Sequence, residues 1–217
     1  AVEINALWYS ALCWASRWAE ILSEQDFAIT EGMRLANQAG RYTQQAQQVK
    51  QSLQKFWNPK ACYLYDTIEP DDRRNSQIRP NAVLALSLSH CGFSARQGYQ
   101  VLERASKSLL TPYGLRSLEP SDPEYIGKYM GSAATRDAAY HQGTVWSWLI
   151  GPFIRAWQRF HKDEALPFDW EPLMQHFLSD ACLGSISEIL DGEEPHQPKG
   201  AIAQAWSVAE AIRHYQD

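Results

Sequence analysis

The sequence predicts an all-α fold built as a repeat of helix hairpins, the plan of an α/α toroid. Three observations carry this. Apolar residues recur at helical spacing in segment after segment. Nearly all-apolar helical stretches, opening near residues 1, 80, 142 and 200, alternate with amphipathic ones. No stretch alternates apolar and polar residues for long enough to claim a sheet. Each apolar stretch opens with, or follows, a polar and aromatic cluster, and each amphipathic stretch leads into a long loop. Stacked hairpins of this kind put their functional loops on one end of the array. An irregular helical bundle or solenoid is the alternative the same pattern allows.

In the first helix Ile4, Leu7, Trp8, Ala11, Leu12, Ala15 and Trp18 hold one face down to about Leu22. A linker with Gly32 and Gly40 is expected next, then an amphipathic helix from Tyr42 to Trp57 with Ala46, Val49, Leu53 and Phe56 inside. Asn58 to Arg79 is rich in Pro, Asp and Asn and reads as a long loop, which in a folded domain is usually functional or disordered. Pro80 suits the first turn of an apolar helix through Leu88. Ser94 caps a helix through Leu110, and a second long loop runs from Thr111 to Tyr140. From Gly143 a strongly apolar helix reaches Phe160, with Gly151-Pro152 expected to kink it. Trp170 to Leu183 is amphipathic, Gly184 to Lys199 is a loop of Glu, Asp, His and Pro, and Gly200 to His214 is the last helix.

The 217 residues are 45% hydrophobic, enough to bury one core. Twenty basic against 25 acidic residues give a net charge of -5, and no basic run is present, which argues against nucleic acid or an anionic membrane as partner. Nine Trp and ten Tyr suit stacking on sugar rings as well as an aromatic core. Cys13, Cys62, Cys91 and Cys182 show no CxxC or zinc spacing, so free thiols, no metal and no cofactor are expected. There is no signal peptide or membrane-length apolar run, and the expected location is the cytoplasm. There is no initiator Met, and the chain is expected to start part-way through a domain.

The densest cluster is Tyr140-His141-Gln142-Gly143-Thr144-Val145-Trp146-Ser147-Trp148. Read as a helix N-terminus, it offers free N–H groups and a positive dipole end to an electron-rich ligand. Together with Val2-Glu3-Ile4-Asn5-Ala6-Leu7-Trp8-Tyr9, Leu109 to Arg116, Arg136-Asp137 and Gln204-Ala205-Trp206-Ser207, it resembles the C-terminal glucosidase domain of glycogen debranching enzymes. The resemblance covers essentially the whole chain, in order. It implies an (α/α)6 toroid of glucoamylase type, of which residues 1–217 would be about the second half, seven of twelve helices, all in one domain.

By the same resemblance the chain hydrolyses α-1,6-glucosyl stubs of glycogen or a branched α-glucan with inversion. That reaction needs a general acid and a general base roughly 6.5–9.5 Å apart. The acid would be an Asp upstream of the segment matching Val2 to Tyr9, and so absent from residues 1–217. The base would lie in the 184–199 loop, among Glu188, Asp191, Glu193 and Glu194; the phrase Ser187 to Gly192 favours Glu188, with Asp191 second. Glu3, Asn5, Arg116, Asp137, His141 and Gln142 are expected to bind sugar, with Trp146 and Trp206 as stacking platform and Trp14, Trp18 and Trp148 in the core. A half-toroid would expose apolar faces that invite a complementing N-terminal segment or self-association. A non-catalytic glucan-binding half-toroid and a trehalase-like toroid glucosidase are the competing readings.

Overall fold

The computed structural model describes residues 1–25 and 29–215. Among them are eight α-helices, and sheet is confined to strands of two or three residues. Helix α1 (Val2–Ser23) lies along α2 (Ile29–Leu53). The two approach closely because the facing residues are small: Ala6, Ser16 and Ala19 on α1, Ala39 and Ala46 on α2. The Ser16 hydroxyl donates to the Ala39 carbonyl at 3.0 Å and meets Thr43 Oγ1 at 2.7 Å. The expected linker at Gly32 and Gly40 is therefore helix, its 26–28 part lying outside the described residues. Each glycine costs the helix about 1 kcal/mol relative to Ala, and tertiary packing outweighs that.

The α1 stripe is also corrected. Its buried face is Val2, Ala6, Tyr9, Leu12, Ser16 and Ala19. Ile4, Leu7, Trp8 and Trp18 point outward, with Trp8 54% and Trp18 59% exposed, and Trp14 is 39% exposed, so Trp14 and Trp18 are not core. Helical spacing identifies two apolar stripes here, and the small one is what α2 accepts.

The expected loop 58–79 holds two short hairpins, β1 (Trp57–Asn58) with β2 (Tyr63–Leu64) and β3 (Thr67–Ile68) with β4 (Arg74–Asn75). Helix α3 (Asn81–Ser87) follows Pro80 and is buried almost all round. Helix α4 (Ala95–Ser108) starts at a capping box, Ser94 with Gln97. A five-stranded antiparallel sheet then joins β5 (Leu110–Thr111), β6 (Gly114–Arg116), β7 (Val145–Trp146), β8 (Ile189–Leu190) and β9 (Pro198–Lys199) in that order. Inside the second expected loop, Ser132 caps α5 (Ala133–Ala139).

Residues 145–149 are strand and a short 3-10 turn rather than helix, Gly143 and Thr144 lead into them from a turn, and α6 runs only from Ile150 to Phe160. Val145 and Trp146 pair with β6 and β8, an option that helical periodicity cannot reveal. Gly151 and Pro152 consequently fall in the first turn of α6, where Pro152 forfeits no backbone bond and no kink arises. Fully buried Ile150 and Phe153 pack α6 into the core against α3 and α4. Helix α7 (Glu171–Ser179) and α8 (Ala205–His214) close the chain over a smaller cluster of Leu173, Ile186 and Ala211. Helix α8 starts five residues later than expected and buries only Ser207 and Ala211, so it is not a buried helix. The four cysteines are free. No helix among the described residues is long and apolar enough to cross a membrane.

Candidate functional site

The sheet is the scaffold of the site, because it brings together segments that are far apart in sequence. Arg116 on β6 sits opposite Val145, Leu115 opposite Trp146, and Val145 in turn opposite Leu190. Ile189 pairs with Lys199. Glu188, one residue before β8, is thereby held beside Gly200 and Ala201, one and two residues after β9.

Both Glu188 carboxylate oxygens accept hydrogen bonds, Oε1 from the Tyr140 hydroxyl at 2.5 Å and Oε2 from the Ala201 N–H at 2.8 Å. Tyr140 is raised above its ordinary value by burial first and by Glu188 second, so its phenol remains a donor. Gly200 has φ +67, and a side chain there would run into Glu188 Oε2. Glu188 lines a cleft of about 400 Å³ with Tyr129, Arg136, Asp137, Tyr140 and Ala201.

A second cleft, about 290 Å³, is lined by Arg79, Asn81, His141, Trp146, Trp148 and Trp206 among others. His141 stacks on Trp146 at 5.1 Å and 9°. Trp206, 47% exposed, stands edge-on to Trp146 at 6.4 Å and tilted over Trp148 at 5.3 Å. Trp148, expected in the core, is thus part of the cleft wall. Tyr140 stands between the two clefts, with its ring 5.0 Å from that of Trp146 and its hydroxyl on Glu188. The His141 imidazole is held below its ordinary value by desolvation and then by the Arg79 guanidinium, so it is neutral and able to accept a hydrogen bond.

The remaining expected residues divide by what their polar groups already hold. Arg116 Nε donates to the Gly192 carbonyl at 2.9 Å, tying β6 to the turn after β8. Gln142 Oε1 accepts from Arg79, and its Nε2 reaches Glu124 at 3.4 Å. Asn5 donates to the Ala1 carbonyl at the exposed start of α1 and lines neither cleft. Asp191 is buried, its Oδ1 accepting the Tyr129 N–H at 2.8 Å. Asp137 is exposed on α5 and faces Glu188 across the same cleft.

Glu3 belongs to the same end of the molecule. Val2 N–H donates to the Asp66 carbonyl, and Asp66 Oδ1 accepts from Asn81 at 2.8 Å. Glu3 is raised from its ordinary 4.5 by burial first, with the Asp66 charge adding to it, and its Oε2 is buried without a hydrogen-bond partner among the described residues. Two residues before Asn81 in the chain, Arg79 donates to the carbonyls of His141 at 2.7 Å and Ser117 at 3.1 Å. Arg79 is the residue that sequence reasoning missed. Its only signal was the place of Arg79-Pro80-Asn81 directly before an apolar helix.

Residues 1–213 match the model of the family described as amylo-alpha-1,6-glucosidase. The chain is also similar to the glycogen debranching enzyme of Saccharomyces cerevisiae, 35% identical over 91 residues, which are 39% of this chain and 6% of the yeast protein. It therefore spans a small fraction of the length of that relative. With its match covering nearly every residue of a mostly helical fold, the chain belongs to the amylo-alpha-1,6-glucosidase family.

Proposed function

We propose that this chain is part of a glycoside hydrolase that removes α-1,6-linked glucosyl stubs from glycogen or limit dextrin, with inversion at the anomeric carbon. The observation that carries the reading is the Glu188 carboxylate, fixed by Tyr140 and Ala201 at the edge of a cleft whose neighbour is lined with tryptophan. In this reading Glu188 is the general base. A carboxylate has about four lone-pair sites, and two are used by its neighbours, so it can still take a proton from the attacking water. Asp191 is the weaker candidate because the Tyr129 N–H already holds it below the surface. Asp137, His141 and the Trp146 and Trp206 rings hold glucosyl units, while Arg116 and Gln142 act by shaping the walls. The general acid is supplied from outside residues 1–217.

The same proposal makes this chain about half of an (α/α)6 toroid within one domain. The outward stripe of Ile4, Leu7, Trp8 and Trp18 on α1 supports that, since it suits further helices packed against it. Titration with panose or isomaltose, followed by tryptophan fluorescence, tests the cleft. A saturable change is expected, weakened in Trp206→Ala. No change, in a chain that circular dichroism shows to be folded, overturns the reading.

A further inference from the structure

The end of α6 carries a group that lines neither of these clefts and that the proposed hydrolysis does not use. His161, the residue after α6, is 2% exposed. Its ring is sandwiched between Trp157, at 3.8 Å and 8°, and Tyr99, at 4.1 Å and 20°. Neither ring face offers a hydrogen bond, and both ring nitrogens are buried without a partner among the described residues. Buried polar atoms are almost always paired, so two orphaned nitrogens on one side chain need an explanation.

The edge of the ring faces carboxylates. Nε2 lies 3.6 Å from Glu103 Oε1, and a donor atom from each of Glu103, His161 and Glu164 lies within 4.8 Å of the others. From these positions we infer that Glu103, His161 and Glu164 form a binding site for a divalent first-row metal ion of the Zn2+ class. One imidazole nitrogen and two carboxylates are a ligand set that such ions accept, at bond lengths of about 2.0–2.2 Å. Two donors on one ion can then stand at most about 4.2 Å apart, so the His161–Glu103 spacing already fits. Glu164 is exposed, so its side chain is free to turn toward the ion.

Glu103 also holds Lys107 Nζ at 2.8 Å, but through Oε2, which leaves Oε1 for the ion. The ion would clip α4, which carries Glu103, to the end of α6. Sequence spacing could not reveal this site, because Glu103 comes from a different helix hairpin and no cysteine takes part.

The test is titration of the folded chain with Zn2+ by calorimetry and with Co2+ by absorption. One saturable site is expected, with a Co2+ spectrum free of thiolate charge-transfer bands. Glu164→Gln and Glu103→Gln, both partly exposed and so compatible with folding, should each weaken binding at least about tenfold. The neighbouring exposed Asp163→Asn should leave it unchanged. Absence of a saturable site, binding through thiolates, or binding that survives both glutamate variants overturns the inference and leaves His161 as a stacking residue alone.

Discussion

Glu188 owes its position to a glycine. At Gly200 the backbone is left-handed, at φ +67, and a Cβ would collide with Glu188 Oε2. Gly200→Ala is therefore expected to lose about 1–2 kcal/mol of stability from the left-handed conformation alone, measured by urea denaturation, and to displace the carboxylate from the Ala201 N–H. An unchanged midpoint would mean that the turn relaxes without cost. Glu3 makes a pH-dependent case. Its folded value is raised, so between pH 4.5 and that value the folded state binds more protons than the unfolded one, and stability falls as pH rises. Glu3→Gln lacks this dependence. Its thermal midpoint should gain on the wild type as pH climbs through the window above 4.5, and a difference independent of pH would contradict the assignment. At this scale the phrase Ser187 to Gly192 singled out Glu188 as a candidate, and its role as base is the proposal made above. Arg79 and Tyr140 were not legible as partners, because hydrogen bonds to residues 62 and 48 positions away leave no local pattern.

Among elements, α3, α4 and α7 were legible because a proline, a capping serine and an amphipathic period each mark an element locally. The five-stranded sheet was not. Its strands of two or three residues are too short for period two to register, and Val145-Trp146 continues into apolar residues that also fit a helix. Since that sheet carries Arg116, Trp146 and the approach to Glu188, the geometry of the candidate site was hidden from the sequence. Glycine misled in the opposite direction at α2. Gly40 is exposed in mid-helix with nothing within 4 Å of an added Cβ, so it marks no turn and meets no neighbour. Gly40→Ala is expected to stabilise the chain by about 1 kcal/mol, read from the shift in thermal or urea midpoint. Destabilisation would show that the helix is not continuous there.

For the molecule as a whole, a single run of contacts links the ends of distant elements. It passes from Val2 through Asp66 to Asn81, along the backbone to Arg79 and from there to His141, and from Tyr140 to Glu188. That convergence on one end is what the alternation of helices and loops predicted, although the helix boundaries moved. The outward apolar stripe of α1 is the counterpart at the opposite scale, a face that periodicity announced and that α2 does not cover. The central claim is that Glu188 is the base of an inverting hydrolysis whose acid lies outside residues 1–217. Glucose release from limit dextrin tests it most directly, comparing the chain alone, the chain restored with its acid-bearing segment, and Glu188→Gln or Asp191→Asn in the restored enzyme. The account predicts no appreciable turnover by the chain alone, a loss of about 10²–10⁴-fold in Glu188→Gln with sugar binding kept, and retained turnover in Asp191→Asn. Full turnover by residues 1–217 alone, or activity that survives Glu188→Gln and is lost in Asp191→Asn, would contradict it.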